Sequence, residues 1–320
     1  MNILITSASR KVGLVNTFKK ALQENGGGQI FAGDINPQSP SFYFADDYII
    51  LPRSNKDSFI DEIINICKKY EINLIIPTRD EELSLFSKNI DKFTDNDIKI
   101  MVSPEESINI CQNKDSFIEF CESHGFDVPK TYKNVDDYSK LEYPVFIKPK
   151  IGKGGLDTFK VDSFEELDSV LKIFDDVIIQ EFIDWNEYTV DLFADFDGKV
   201  ISAVPRERIN ILGGESLITE TFKNKKIIEE AIRLAESLNL IGHNTIQCFF
   251  NGKTVKFIEI NPRFGGAAIL SFKSGANSPE NLVKLLNGET LEPMIYDFKD
   301  KFLALRFINE IFIEEKDLKK

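Results

Sequence analysis

The stretch FIEINPRFGG, residues 257–266, sets an apolar run against three polar side chains at fixed spacing. In a β-strand, successive side chains point to opposite faces. Alternation therefore predicts that Phe257, Glu259 and Asn261 share one face, with Ile258 and Ile260 on the other. At a rise of ~3.3 Å per residue, the two polar tips would stand ~7 Å apart along the strand. A carboxylate and an amide oxygen so placed can hold a hard cation such as Mg²⁺, which takes oxygen ligands. Arg263 follows where the strand ends, a position suited to a fixed positive charge aimed at a phosphate. A surface strand with one wet face would carry the same pattern, so the rest of the chain has to decide between them.

The chain has 320 residues, 42% hydrophobic and 28% charged, as expected of a globular protein of two or three domains. No apolar run approaches the ~20 residues that span a bilayer, and MNILITSASRK has too short an apolar core for a signal peptide. The four cysteines, Cys67, Cys111, Cys121 and Cys248, form no CxxC pair. That argues against a disulfide framework and a cysteine zinc site, and fits a reducing cytoplasm. A net charge of −13 opposes nonspecific nucleic-acid binding. An anionic nucleotide would need local Lys and Arg, plus a metal, to reverse that sign. With only His124 and His243 present, chemistry built on a histidine base or a His-rich metal site is disfavoured. Phosphoryl transfer, which rests on positioning and charge neutralisation, stays open.

The first ~110 residues alternate strand and helix signals, the pattern of a parallel α/β sheet. NILITSA, QIFAGDI, YIILP, INLIIPT and IKIMVS read as strands. Helices are expected over Val12–Glu24, after Asp57 as N-cap, and over EELSLFSKNIDKF. Ligands of such sheets bind beyond the carboxyl ends of the strands, a rim that here carries Ser7 to Arg10, Asp34, and Thr78 to Glu81. A short helix, KDSFIEFCESHG, follows, closed by Gly125. From about Tyr143 the strands read as antiparallel, interrupted by the amphipathic helix KKIIEEAIRLAESLNL. SPENLVKLLNGE reads as a helix with Ser278 as N-cap and Gly288 closing it. The division expected is residues 1–110, 111–183 and 184–320, packed together rather than tethered.

Two more stretches carry chemistry. In KPKIGKGG, Lys148 and Lys150 share a strand face by alternation, and Gly152, Gly154 and Gly155 make a turn whose N–H groups can cradle phosphate, or a plain flexible hairpin. The stretch has neither the GK[ST] of a P-loop nor GxGxxG. In QEFIDWNEYTVDL an apolar strand ends in Glu181, Phe182 and Ile183, then restarts near Glu187. A chain crossing there can offer adenine a donor and an acceptor, while two adjacent strands with one acidic face would look alike. Arg206 and Arg208 flank Glu207, as a solvated face often does, and Gly213 and Gly214 fall in a long loop.

Taken in order, these stretches resemble the ATP-grasp superfamily: a Lys opening a helix, a strand Lys before a Gly-rich hairpin, an acidic hinge, then Gln…Glu-x-Asn-x-Arg. ILITSASRKVGL, IIPTRDEEL, VPRERI and EINPRFGG are most similar to small single-copy relatives of the carbamoyl-phosphate synthetase large subunit. The resemblance covers nearly the whole chain. It implies a parallel-sheet pre-ATP-grasp domain followed by an α+β ATP-grasp fold with mainly antiparallel sheets. It further implies that Lys114 and Lys148, with Lys150 beside them, contact the nucleotide phosphates under a Gly152–Gly155 lid. Glu181, Phe182 and Ile183 would read adenine and Glu187 the ribose. Gln247, Glu259 and Asn261 would bind Mg²⁺ (or Mn²⁺), and Arg263 would steady the transferred phosphoryl. Arg208, Arg263, Gly265 and Gly266 become candidates for the carboxylate substrate, with Ser7, Arg10, Thr78 and Glu81 contributing.

For Gln247 to share the metal face, its hairpin with FIEIN must be irregular, because a regular two-residue turn at Asn251-Gly252 would pair Gln247 with Lys256. The irregularity is expected over Asn251–Thr254. The activity implied is an ADP-forming carboxylate–amine (or carboxylate–thiol) ligase working through an acyl phosphate on small molecules, the substrate being amino-acid-like, with a homodimer the default assembly. Alternatives are a regulatory nucleotide-binding protein on the same scaffold and phosphorylation of a small carboxy compound as in the parent synthetase. A nicotinamide oxidoreductase is third, and TSASRKVG is a poor fingerprint for one.

Overall fold

A computed structural model describes residues 1–133, 138–150 and 157–319. The lid expected at Gly152, Gly154 and Gly155 lies outside these described residues. Alternating apolar strands and amphipathic helices close into a parallel sheet of order β3-β2-β1-β4-β5. Its elements are β1 Asn2–Thr6, α1 Val12–Glu24, β2 Gln29–Asp34, β3 Asp47–Ile50, α2 Phe59–Lys69, β4 Ile72–Pro77, α3 Asp80–Lys88, α4 Ile90–Thr94 and β5 Lys99–Ile100. Helices cover both faces, so β1 is apolar at every central position. Ile3 and Ile5 pack with α1 through Val15 and Phe18, while Leu4 packs with α2 through Ile63 on the opposite side.

Some local expectations fail for local reasons. Asp57 does not cap α2. Ser58 precedes the helix and its hydroxyl donates to Glu62 Oε1 at 2.5 Å. The helix expected over residues 81–93 breaks at Asn89, whose amide donates to Leu85 O and ends α3. The fifth strand shrinks to two residues.

After α5 Glu105–Gln112 and α6 Lys114–Ser123 come two antiparallel sheets. The smaller, of order β7-β6-β8, contains β6 Val145–Pro149, β7 Phe159–Val161 and, beyond α7 Phe164–Leu171, β8 Val177–Glu181. It has its own core of Val145, Ile147, Val161, Leu167 and Ile179. The larger has the order β13-β12-β9-β10-β11-β14. It comprises β9 Asn186–Ala194, β10 Val200–Leu212, β11 Glu215–Thr221, β12 Gly242–Phe250, β13 Val255–Asn261 and β14 Leu303–Leu305, with α8 Lys225–Ser237, α9 Ile269–Ser274 and α10 Ser278–Leu286. Gly213 and Gly214, expected in a long loop, instead make the tight turn between β10 and β11, with φ of 56° and 75°. β11, α9 and β14 have no counterpart in the sequence reading. Ser278 is the first residue of α10, behind Asn277 as N-cap, and its hydroxyl pairs with His243 Nδ1 at 3.0 Å.

One face of the larger sheet packs on α8 through Ile227, Ala231 and Leu234. The domains share a core, since Phe193, Phe264, Phe272 and Leu282 join the α1 face of the parallel sheet. Among the described residues, no helix is long and apolar enough to cross a membrane.

Arg206, read from sequence as a solvated charge, is buried. Its Nε donates to Asp191 Oδ2 at 2.8 Å. Ser271 also donates to that oxygen at 2.5 Å, and His243 Nε2 stands 3.8 Å from Oδ1. Burial alone would raise the Asp191 carboxyl, but Arg206 and His243 hold it well below the usual carboxylate range. A carboxylate so depressed contributes stability that is full above the unfolded value of about 4 and is lost as pH falls below it. Removing it strands a buried guanidinium. Asp191→Ala is expected to cost about 3–5 kcal/mol, measured by urea unfolding at neutral pH, with the gap to wild type narrowing as pH is lowered below about 4.

Candidate active site

The hairpin of β12 and β13 settles the opening pattern. Four residues connect the strands, and Asn251 Oδ1 accepts from Lys253 N at 3.0 Å and Thr254 N at 2.8 Å. From there the register is regular, Phe250 to Val255, Phe249 to Lys256 and Cys248 to Phe257. It then slips by one, so that Gln247 pairs with Glu259 and Thr245 with Asn261. The irregularity therefore lies at Ile258 and not within Asn251–Thr254. An even-numbered loop would have placed Gln247 opposite Ile258, and one bulged residue corrects the parity.

The bulge also overturns part of the alternation. Phe257 does not share a face with Glu259; it is buried with Val255 and Ile260 in the α8 core. With its apolar neighbours turned inward on either side of the slip, β13 presents Glu259 and Asn261 on the other face. Directly opposed residues of antiparallel strands project to the same side, which adds Gln247. Asn261 Nδ2 donates to Glu259 Oε1 and Gln247 Nε2 donates to Glu187 Oε1, each at 3.2 Å. The donor set is one of hard oxygens. Among the described residues no group of three or more His, Cys, Asp or Glu is placed to hold a metal ion, so one carboxylate and two amides make up the oxygen set here.

Glu187 belongs to this face too. Its Oε1 also accepts from Arg208 Nη1 at 2.7 Å. Burial raises its pKa, Arg208 opposes that and Glu259 adds to it, leaving the carboxyl above its ordinary value. Sequence reasoning set Glu187 at a ribose; the structure bonds its carboxylate to Gln247 and Arg208, within electrostatic reach of Glu259.

Lys148 on β6 is 7% exposed. Burial lowers its pKa to about 8, against the pull of Glu259 and with the help of Lys114. Lys114 opens α6 and its Nζ donates to the carbonyls of Pro149 at 3.0 Å and Lys150 at 3.3 Å. This clamps the end of β6 to the start of α6. Lys150 does not join Lys148. It lies beyond the strand end, half-buried, with Asp115 at 3.5 Å and Asp176 at 3.4 Å.

At the hinge, Glu181 Oε1 accepts from Lys130 N at 2.7 Å and from Lys256 Nζ. Burial opposes ionisation there, yet these two donors hold the carboxyl below its ordinary value. Lys160 Nζ lies 5.1 Å from the Phe182 ring and Lys256 Nζ 5.4 Å from Trp185. Ile183 continues the same segment, between β8 and β9.

Arg263 marks the junction with the parallel-sheet domain. Its Nε and Nη2 each reach Asp80 at 2.8 Å, a two-pronged pair, and Nη2 donates to Asn261 Oδ1 at 3.1 Å. Asp80 falls within the expected rim Thr78 to Glu81, but its pairing with Arg263 was not anticipated; its signal was an acid just past the end of β4, in IIPTRDEEL. On the same rim, Ser7 Oγ and Thr6 Oγ1 donate to Glu82 at 2.6 and 2.7 Å. Lys11 Nζ donates to Ser7 O at 3.0 Å, and burial followed by Arg263 lowers its pKa. Glu82 and Lys11 thus occupy the inner side of the rim. Glu81 turns to Arg79 at the surface and Arg10 is exposed, so each expectation there is displaced by one residue. Thr78 is buried, donating to Thr6 O and Ser7 O, and holds the rim rather than facing a ligand.

Beyond Arg263, Gly265 lies against Thr245, where a Cβ would stand 2.7 Å from Oγ1. Gly266 faces Glu215 and Arg306, at 3.8 and 3.7 Å from where a Cβ would stand. Arg208 Nη2 donates to Gly214 O at 2.7 Å, while its buried Nε has no partner.

Known families and structures match this architecture. Residues 3–101 match the family described as PylC-like, N-terminal domain, and residues 111–267 match ATP-grasp domain. The carbamoyl phosphate synthase large chain of Pyrococcus furiosus is 25% identical over 334 residues, covering 91% of this chain and 31% of that one. The chain spans about a quarter to a third of the length of the curated relatives it matches. A biotin carboxylase–β,γ-ATP complex from Campylobacter jejuni superposes with a TM-score of 0.71 at 19% identity, covering 91% and 72% of the two chains. An L-amino acid ligase from Bacillus licheniformis superposes at 0.67 with 16% identity, covering 89% and 74%. The chain is an ATP-grasp protein with a PylC-like N-terminal domain, homologous to the carbamoyl phosphate synthase large chain.

Proposed function

We propose that this protein is an ADP-forming ligase that activates a small carboxylate with ATP and joins it to an amine. The observation that carries the reading is one face of the larger sheet. Glu259, Asn261 and Gln247 stand together there, next to the buried Lys148, and Asn261 bonds Arg263. Its neighbours by fold include a biotin carboxylase in complex with β,γ-ATP and an L-amino acid ligase, which fits this chemistry.

Glu259, Asn261 and Gln247, with Glu187 behind them, would hold Mg²⁺ through oxygens once the two amides turn their carbonyls inward. Bound there, the ion would offset charge on the β- and γ-phosphates. Lys148 and Lys114 supply ammonium groups to the same phosphates, and the hinge at Glu181 to Ile183 borders the adenine. The substrate carboxylate attacks the γ-phosphorus, its bond to the ADP oxygen breaks, and Arg263 and Arg208 steady the transferred group. The amine then adds to the acyl carbon, inorganic phosphate departs with the C–O bond electrons, and the amine proton passes to solvent. Positioned charge does this work, so no histidine base is required.

ADP release with Mg–ATP and pools of amino acids and other small carboxylates tests the reading. A productive pool is expected to raise ADP at least tenfold over background, and Lys148→Ala and Glu259→Gln are each expected to abolish the increase. Silence from every pool in a protein that binds Mg–ATP would turn the assignment toward nucleotide binding alone. The low pKa of Lys148 gives a second prediction. Its ammonium persists below about pH 8 and is lost above, so Mg–ATP affinity is expected to fall as pH rises through about 8. Titration calorimetry from pH 6.5 to 9.5 measures this, and Lys148→Arg is expected to flatten the profile.

A further inference from the structure

The far side of the same face carries a second pair of charges. Arg306, just past β14, donates through Nη2 to Glu215 Oε2 at 2.8 Å and through Nη1 to Ser216 O at 3.0 Å. The pair sits over the Gly266 backbone, beside the β10–β11 turn that Arg208 also grips. Both side chains are open to solvent, 31% for Arg306 and 52% for Glu215. In strand order β13-β12-β9-β10-β11-β14, the cation-holding residues lie at one edge and Arg306 at the other. Arg208 on β10 stands two strands from β14, ~10 Å at ~4.8 Å per strand, with its buried Nε still lacking an acceptor.

Resting on the ligase reading, we infer that the Arg306–Glu215 pair recognises the amine substrate, and that this substrate is an α-amino acid bound as its zwitterion. An ion pair of this kind is a ready mould for a zwitterion. Arg306 exchanges the Glu215 carboxylate for that of the ligand through a planar fork, and Glu215 exchanges the guanidinium for the ligand ammonium. One exposed pair, weak in itself, becomes two with no net change of charge. Once the ammonium has given up a proton to solvent, the glycine beneath leaves the neutral amine a path toward an acyl group held by Arg263 and Arg208.

The test is titration calorimetry with Mg–ADP present, using the twenty α-amino acids. For each that binds, its decarboxylated amine and its des-amino carboxylate are titrated as well. At least one amino acid is expected to bind, with both single-headed analogues at least tenfold weaker. Arg306→Gln and Glu215→Gln are each expected to weaken the amino acid at least tenfold while leaving Mg–ADP affinity unchanged. Glu215→Gln keeps the turn's hydrogen-bonding shape and guards against a folding defect in the arginine variant. The inference is overturned if Mg–ADP binds and no amino acid does, if an analogue equals its parent, or if both variants retain wild-type affinity. Absence of Mg–ADP binding overturns the ligase reading itself.

Discussion

One extra residue, Ile258, governs the geometry of the site. Were Ile258 paired in regular register instead of bulged, β13 could not bury Phe257 and Ile260 against α8 while presenting both Glu259 and Asn261 to the opposite face. Gln247 would then face Ile258, and the polar side chains would be divided between the two sides of the sheet. The apolar core drives this arrangement. Burial of the Phe257 ring and of Ile260 fixes which side each neighbour takes, and the polar residues follow.

The larger sheet is thereby graded in charge from edge to edge. Carboxylates and amides occupy β13, β12 and the start of β9, and arginines occupy β10 and the end of β14. Glu187 and Arg208 meet in the middle, each partly neutralising the other at a buried position. Such an arrangement separates a cation-attracting half from an anion-attracting half on one rigid surface. The acyl phosphate of the proposed reaction would use both halves, its phosphoryl and acyl ends meeting different charges.

The parallel-sheet domain is part of this surface. Asp80 reaches across 183 residues of sequence to fork onto Arg263, and Lys11 lies close enough for Arg263 to help lower its pKa. Behind them, Phe264 stacks on His243 at 4.5 Å and joins the core shared by both domains. The orientation of Arg263 therefore depends on both domains, and Asp191, Arg206 and Ser271 anchor the helix that follows its loop.

The sequence by itself determined the class of fold and the chemical vocabulary of the site. Periodicity of two and of 3.6 is imposed by local geometry, so α1, the strands of the parallel sheet and the amphipathic α8 were legible. Glu259, Asn261, Gln247 and Arg263 were legible as types at a spacing. Which of them face one another was not. Strand parity depends on a bulge that only core packing selects, which is why the irregularity was expected in the turn and occurred at Ile258. The inner rim of Lys11 and Glu82, displaced by one residue from Arg10 and Glu81, is decided by how β1 and α3 rotate onto the second domain. Neither the pairing of Asp80 with Arg263 nor that of Arg306 with Glu215 has a local signature. These side chains acquire a partner only when residues far apart in the chain are brought within a hydrogen bond, and that distance belongs to the tertiary structure alone.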